Sequence, residues 1–207
     1  MLQVDPARAA LVLMDLQNDV VDARGAFAVP STSQAHVDNA LMACARLLGW
    51  ARTAAVPVVH VAVAYRDGHP EANEAIPLFA AVRAAGALVE GSWGAAFHPS
   101  VVPGPGESVV VKRGISSFAG SDLALLLRRS GRDVVLLAGV STQLVVLGSA
   151  ISVVDLGLTP VVIHDACAAA PQETHDAAIA IVGAFAHVLS TDELFAGAGA
   201  GAAVPQP

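Results

Sequence analysis

Three positions in this chain stand where proton chemistry is easiest to arrange. Asp15 closes the apolar run 10–15 (ALVLMD), Lys112 closes the run 107–112 (ESVVVK), and Val140-Ser141-Thr142 follows the run 133–139 (DVVLLAG). A carboxylate at the end of a buried strand is partly desolvated, which raises its pKa and suits it to proton transfer. The same place also suits an aspartate that caps the following turn. Lys112 is the sole lysine; the rest of the 11 basic residues are arginines. Arginine does not release its proton, whereas a buried lysine serves as acid, base or compact charge. A lone lysine at a strand end is therefore a site candidate, and an ordinary strand-edge charge is the alternative. The turn after Gly139 opens a helix, whose first N–H groups take either an N-cap side chain or an anionic group.

Other residues carry weaker signals. Trp93 and Phe97, in a long loop, and Phe118, shortly after Lys112, are candidates to wall a pocket, with core packing as the other reading. Arg66 and Arg113 are available charges. His60 alternates with valines and reads as a core or interface histidine that has found a partner. Glu173 and His175 read as part of a solvated helix face. Asp67-Gly68-His69-Pro70 holds two metal-ligand types, but two ligands make no site and the run reads first as a polar turn. No phosphate-cradling glycine motif and no G-x-S-x-G elbow is present.

The elements that must position these residues alternate along the chain. Strands are expected over 10–15, 57–65, 107–112, 133–139, 159–164 and 184–190, and helices over 31–53, 121–130, 142–156 and 172–182. Continuous valine and leucine runs separated by helices indicate parallel strands covered on both faces. The fold expected is α/β: a three-layer α/β/α domain over 1–195 with a six-stranded, mainly parallel sheet. In such sheets ligands bind outside the carboxyl ends of the strands. The Gly- and Pro-rich stretch 66–106 is expected to be one long irregular loop, and 196–207 a disordered Ala/Gly/Pro tail.

Composition excludes several classes. The chain has 207 residues, 55% apolar and 14% charged, which is too apolar for intrinsic disorder. A net charge of −7 argues against a nucleic-acid binder, which needs a basic face. The longest nearly apolar stretch, 144–154, is far short of the roughly 20 residues of a membrane span. Asp5 and Arg8 precede any apolar run, unlike a signal peptide. Two cysteines form no disulfide framework and no zinc pattern. A soluble cytoplasmic protein, with no nucleic-acid and no membrane partner, is the expectation.

Four blocks, ALVLMDLQNDVV, VVVKRGISSFAGSDLALLLRRSG, VVLLAGVSTQLVVLGSA and VVIHDACAAAPQETHDAAI, stand in the order found in one family. Over roughly 9–194 the chain resembles the isochorismatase-like hydrolases, or cysteine hydrolase superfamily, which includes isochorismatases, nicotinamidases and N-carbamoyl amidohydrolases. The resemblance implies catalytic roles for Asp15 and Lys112, a non-proline cis peptide at Val140–Ser141, no cofactor, and a homodimer or homotetramer. Amide-cleaving members carry a cysteine in the pattern G-[VI]-x-T-x-x-C-V. Here the pattern reads Gly139-Val140-Ser141-Thr142-Gln143-Leu144-Val145-Val146, and Val145 holds the nucleophile's place. Valine has no nucleophilic atom, so thiol-based acyl transfer at this position is ruled out. Cys44, in the first helix, and Cys167 match no nucleophile position.

Isochorismatases also lack that cysteine. They are similar to this chain in Asp15, Lys112 and Ser117-Phe118, and they cleave an enol ether by proton donation from the aspartate. Where they read K-W-R-Y-S-A-F, this chain has Gly114 in place of the arginine. The resemblance thus implies a cofactor-independent hydrolase acting on an enol ether or C–N bond by Asp/Lys acid–base chemistry. Val140, Ser141, Val145, Phe118, Trp93 and Arg66 are expected around the substrate. The alternative is an inactive family member that binds or assembles. The Asp-x-His-Pro run resembles a nicotinamidase metal motif without its further histidine, so no metal is expected.

Overall fold

The computed structural model describes residues 2–197, and most of the expected C-terminal tail, 198–207, lies outside the described residues. Six strands form one sheet: β1 (Ala9–Met14), β2 (Val58–Val63), β3 (Ser108–Lys112), β4 (Val134–Val140), β5 (Thr159–Ala168) and β6 (His187–Leu189). All neighbouring pairs are parallel, in the order β3-β2-β1-β4-β5-β6. The six-stranded parallel sheet was expected from the apolar runs, and it is wholly parallel rather than mainly so. Every residue of β1 and β2 is buried, as strands covered on both faces must be.

Alternate residues of each strand feed opposite layers. Leu11, Leu13, Leu136, Ala138, Val161 and Ile163 pack against α2 (Ser31–Thr53), with Leu194 of α7 (Thr191–Gly197) beside them. Buried Val37, Ala40, Leu41, Cys44, Leu47, Leu48 and Ala51 form one helical stripe along α2. On the other face Val12, Met14, Val61, Val135 and Leu137 meet α4 (Leu123–Ser130), α5 (Leu147–Asp155) and α6 (Gln172–Val182). One short helix, α1 (Asn18–Val21), follows β1. No helix of the described residues is long and apolar enough to cross a membrane.

Three expectations need correction. The stretch 66–106 is not one irregular loop. It holds α3 (Pro77–Ala85), which starts at a proline whose missing N–H costs nothing there and stops at Gly86 in the left-handed conformation. Val63, Tyr65, Ala72, Val82, Ala87 and Leu88 give this insert its own apolar cluster. Second, the helix expected to start at Thr142 begins as a π-turn over Thr142–Val146 before α5. In addition, Ala196 and Gly197 end α7 rather than beginning a tail.

The strand order places the site. From β1 the chain runs outward through β2 to β3, then returns to lay β4 on β1's other side. The connections therefore diverge between β1 and β4, and a crevice forms at the carboxyl ends of these two strands. Asp15 follows β1 there, and the Val140–Ser141 turn ends β4. Only glycine fits at 139: its φ is +127°, and a Cβ would lie 2.1 Å from the Met14 carbonyl oxygen.

Candidate active site

Asp15 leaves β1 with a φ of 56°, an uncommon conformation for a residue with a side chain. Its N–H donates to the Val61 carbonyl at 2.9 Å, which holds it to β2. Lys112, 1% exposed, reaches from the end of β3 and places its Nζ 2.8 Å from Asp15 Oδ2. The same Nζ donates to the Ile115 carbonyl at 2.6 Å. Asp15 Oδ1 is buried and has no hydrogen-bond partner. Burial pushes the Asp15 carboxyl up to about 6, against the opposing pull of the Lys112 charge and hydrogen bond. A carboxyl in that range exchanges a proton readily near neutral pH.

A cavity of about 310 Å³ opens beside this pair. Asp15, Lys112, Val140, Ser141 and Val145 all line it. Its other lining residues include Val20, Phe27, Val29, Phe79, Val82, Leu88, Ile115 and Ala168–Ala170. The Val140–Ser141 peptide is cis. In the turn that follows, the N–H groups of Val145 and Val146 both donate to the Ser141 carbonyl, at 2.9 and 3.2 Å, and so are already engaged.

Three residues expected around the substrate are not in the cavity lining. Phe118 instead packs, half-buried, against the cluster that holds Leu123 and Leu127 of α4. Trp93 is 48% exposed, with the Arg24 guanidinium over its ring at 5.0 Å. Arg66 is outside too: it is exposed, with its Nε 2.6 Å from the half-buried Glu71 carboxylate. Arg113 bonds the Ala64 carbonyl and Glu90. His175 is corrected as well: it is buried, not solvated, and its Nδ1 lies 2.9 Å from Thr142 Oγ1, because α6 packs that position against the π-turn.

The remaining candidates also have places. His69 is buried and its Nε2 donates to the Ala87 carbonyl at 2.7 Å, while Asp67 is exposed. Among the described residues no group of three or more His, Cys, Asp or Glu is arranged to hold a metal. Cys44 and Cys167 are free and buried. Their thiols donate to the carbonyls of Ala166 and Ile163, each at 3.2 Å. Burial pushes Cys167 up to about 12 and holds Cys44 well above its ordinary value. Neither thiol lines the cavity.

Several lining residues escaped the sequence reading. Tyr65, the sole tyrosine, sits just past β2, is 2% exposed and lines the cavity. A strand-end position, the signal that marked Asp15 and Lys112, also marks Tyr65. Gln17, Asn18 and Asp19, in the run after Asp15, fasten the insert to the site. The Gln17 amide bonds Val63 from both ends at 2.8 Å and donates to the Ala95 carbonyl. Asn18 donates to the Trp93 carbonyl, and Asp19 accepts from the N–H groups of Leu88 and Ala26.

The profile of the isochorismatase domain matches residues 9–193. The chain is 32% identical over 196 residues to the uncharacterized isochorismatase family protein YecD of Escherichia coli O157:H7, covering 94% of this chain and 98% of that one. It is 33% identical over 133 residues to a maleamate amidohydrolase of Pseudomonas putida, covering 64% and 62% of the two chains. Among solved structures, a cysteine hydrolase from Pseudomonas syringae pv. phaseolicola superposes with a TM-score of 0.83 over 96% of this chain and 95% of that one. At 21% identity that last likeness is one of fold.

Proposed function

The chain belongs to the isochorismatase family, and we propose that within it this protein hydrolyses a small molecule by proton transfer at Asp15, without a covalent enzyme intermediate. One observation carries the reading. The cavity holds a buried, unpartnered carboxylate oxygen beside Lys112, and Val145 in place of a nucleophile. Asp15 is the general acid/base. Lys112 sets its charge state and orients it.

Enol ether hydrolysis fits this equipment most directly. Asp15 in its acid form donates its proton to the terminal vinyl carbon, and the π electrons form the new C–H bond. The resulting oxocarbenium ion takes up water, whose surplus proton returns to the Asp15 carboxylate. The hemiketal then separates into a carbonyl compound and an alcohol. No nucleophile on the protein is needed at any step. A C–N bond activated enough for direct attack by water is the other substrate type that the same pair serves.

Val145 favours a second reading, a family member that binds without turnover. The buried pair argues against it. Replacing a buried ion pair by apolar side chains is often neutral or stabilising, so folding alone does not require Asp15 and Lys112. The test is a panel of enol ethers (isochorismate included), small amides and N-carbamoyl compounds, offered to wild type, Asp15→Asn and Lys112→Met. Turnover lost in both variants and untouched by iodoacetamide supports the hydrolase. No turnover by wild type across the panel favours the binding protein.

A further inference from the structure

We propose that the cavity selects a neutral substrate with an apolar body, an aryl or branched alkyl compound bearing one uncharged polar group, and rejects carboxylates. This rests on reading the cavity as the active site. Asp15 and Lys112 are its only charged lining residues among the described ones. With Asp15 ionised, above about pH 6, they neutralise each other at 2.8 Å, and Lys112 is further engaged by the Ile115 carbonyl. In that state no cation is left over for a substrate anion. Arg66 and Arg113 are held by Glu71 and by Ala64 and Glu90, outside the lining.

The polar groups that do face the cavity are neutral. Tyr65, Ser141 and Gln143 line it, and Gln143 Oε1 is buried and unpartnered. The rest is aliphatic or phenyl, with Phe27, Phe79, Val82 and Leu88 supplied by α1's following loop and the insert. A carboxylate moved from water onto such a wall loses its hydration and gains no ion pair, which is costly. An apolar body gains the free energy of its buried area. The volume lies at the small end of ligand sites, the size of a single-ring compound.

Gly114 makes the inference testable. It lines the cavity, its φ is not left-handed, and a Cβ there meets nothing within 4 Å. Gly114→Arg therefore adds a cation without displacing backbone. The probes are cinnamamide and cinnamate, matched in shape and different in charge, titrated calorimetrically into the full chain near pH 8, above the Asp15 value of about 6. Wild type is expected to bind cinnamamide at least about tenfold more tightly than cinnamate. Gly114→Arg narrows or reverses that ratio. Asp15→Asn, which frees the Lys112 charge, moves it the same way and stands in should Gly114→Arg fold poorly. Cinnamate binding wild type as tightly as cinnamamide, neither probe binding at millimolar concentration, or a ratio unmoved in both variants overturns the proposal. The readout is binding, so a protein that prefers cinnamamide but turns over nothing keeps this inference and loses the hydrolase reading.

Discussion

Strand β3 has a charge cluster at each end, and the two are built in opposite ways. Glu107, just before the strand, accepts from Arg52 Nε at 2.7 Å and Nη2 at 3.0 Å, from the Gly104 N–H at 2.7 Å, and from His60 Nε2 at 2.8 Å. Both its oxygens are served, and these donors, Arg52 foremost, hold its carboxyl down at about 2. His60 is pushed below its ordinary value by burial, so the neutral ring donates. Lys112, at the other end, meets an aspartate with one oxygen served and one left over, and burial there outweighs the cation. A fully satisfied carboxylate is fixed in one ionisation state and serves the fold. A half-satisfied one, kept near neutrality, is free to exchange a proton with a ligand.

The largest expected effect separates the two ends directly. Asp15→Asn keeps the shape and removes the titratable proton, so kcat on any substrate found by the panel should fall at least about 10³-fold. Glu107→Gln should leave kcat within about twofold, since it touches nothing in the cavity. Lys112→Met strands Asp15 without its counter-charge. It should lose activity and also about 3 kcal/mol of stability, because an uncompensated buried charge is left. Comparable loss of kcat in Asp15→Asn and Glu107→Gln would erase the distinction drawn between the ends.

The pH profile sharpens it. If Asp15 donates its proton, log kcat/KM should be level below about 6 and fall by about one unit per pH unit above it. A profile rising through the same point would make Asp15 a base toward water, and so favour the C–N substrates over enol ethers.

Why one end was legible as a candidate site and the other was not follows from what each cluster depends on. Asp15, Lys112 and the Ser141 turn are strand-end positions, and strand ends are set by local apolar runs. The helix over 31–53 and that over 172–182 were legible to the residue, since their apolar spacing is local too. The Glu107–His60–Arg52 cluster joins three elements, so no spacing in the chain announces it. Trp93, Arg66 and Phe118 failed as cavity residues for the same reason: their neighbours Arg24, Glu71 and α4 are chosen by loop geometry. The α3 helix had local punctuation in Pro77 and Gly86, which the alanine-rich, Gly- and Pro-bounded surroundings obscured. β5 runs on to Ala168, past the expected end at 164, because it pairs with β4 again beyond a register shift between Leu137 and Gly139.

The two ends should also oppose each other in stability. Glu107 titrates in the folded protein at about 2, below its ordinary 4.5. Its contribution is present above 4.5 and is lost as the pH falls toward 2. Glu107→Gln should therefore cost about 2 kcal/mol near neutrality, read as a Tm lower by several degrees, with the deficit shrinking in acid. Asp15 titrates at about 6, above its ordinary 3.8, so the folded state holds that proton more tightly. Its contribution is full below 3.8 and is lost as the pH rises to about 6. The Tm of Asp15→Asn minus that of wild type should therefore climb across that interval. Difference curves with the same slope for both variants would show that the ends do not differ in ionisation.

The smallest expected effect is none at all, and it bears on Val145. Cys44 and Cys167 are 0% exposed, and burial keeps both in the thiol form. The thiolate is the species that attacks iodoacetamide, so the native wild-type protein should gain no adduct by mass spectrometry and keep its turnover. Val145→Cys should acquire a single adduct, because that position lines the cavity where the native thiols do not. Modification of the native wild type with loss of turnover would put a native cysteine into the chemistry. It would also remove the reason for assigning the proton transfer to the half-satisfied end of β3 alone.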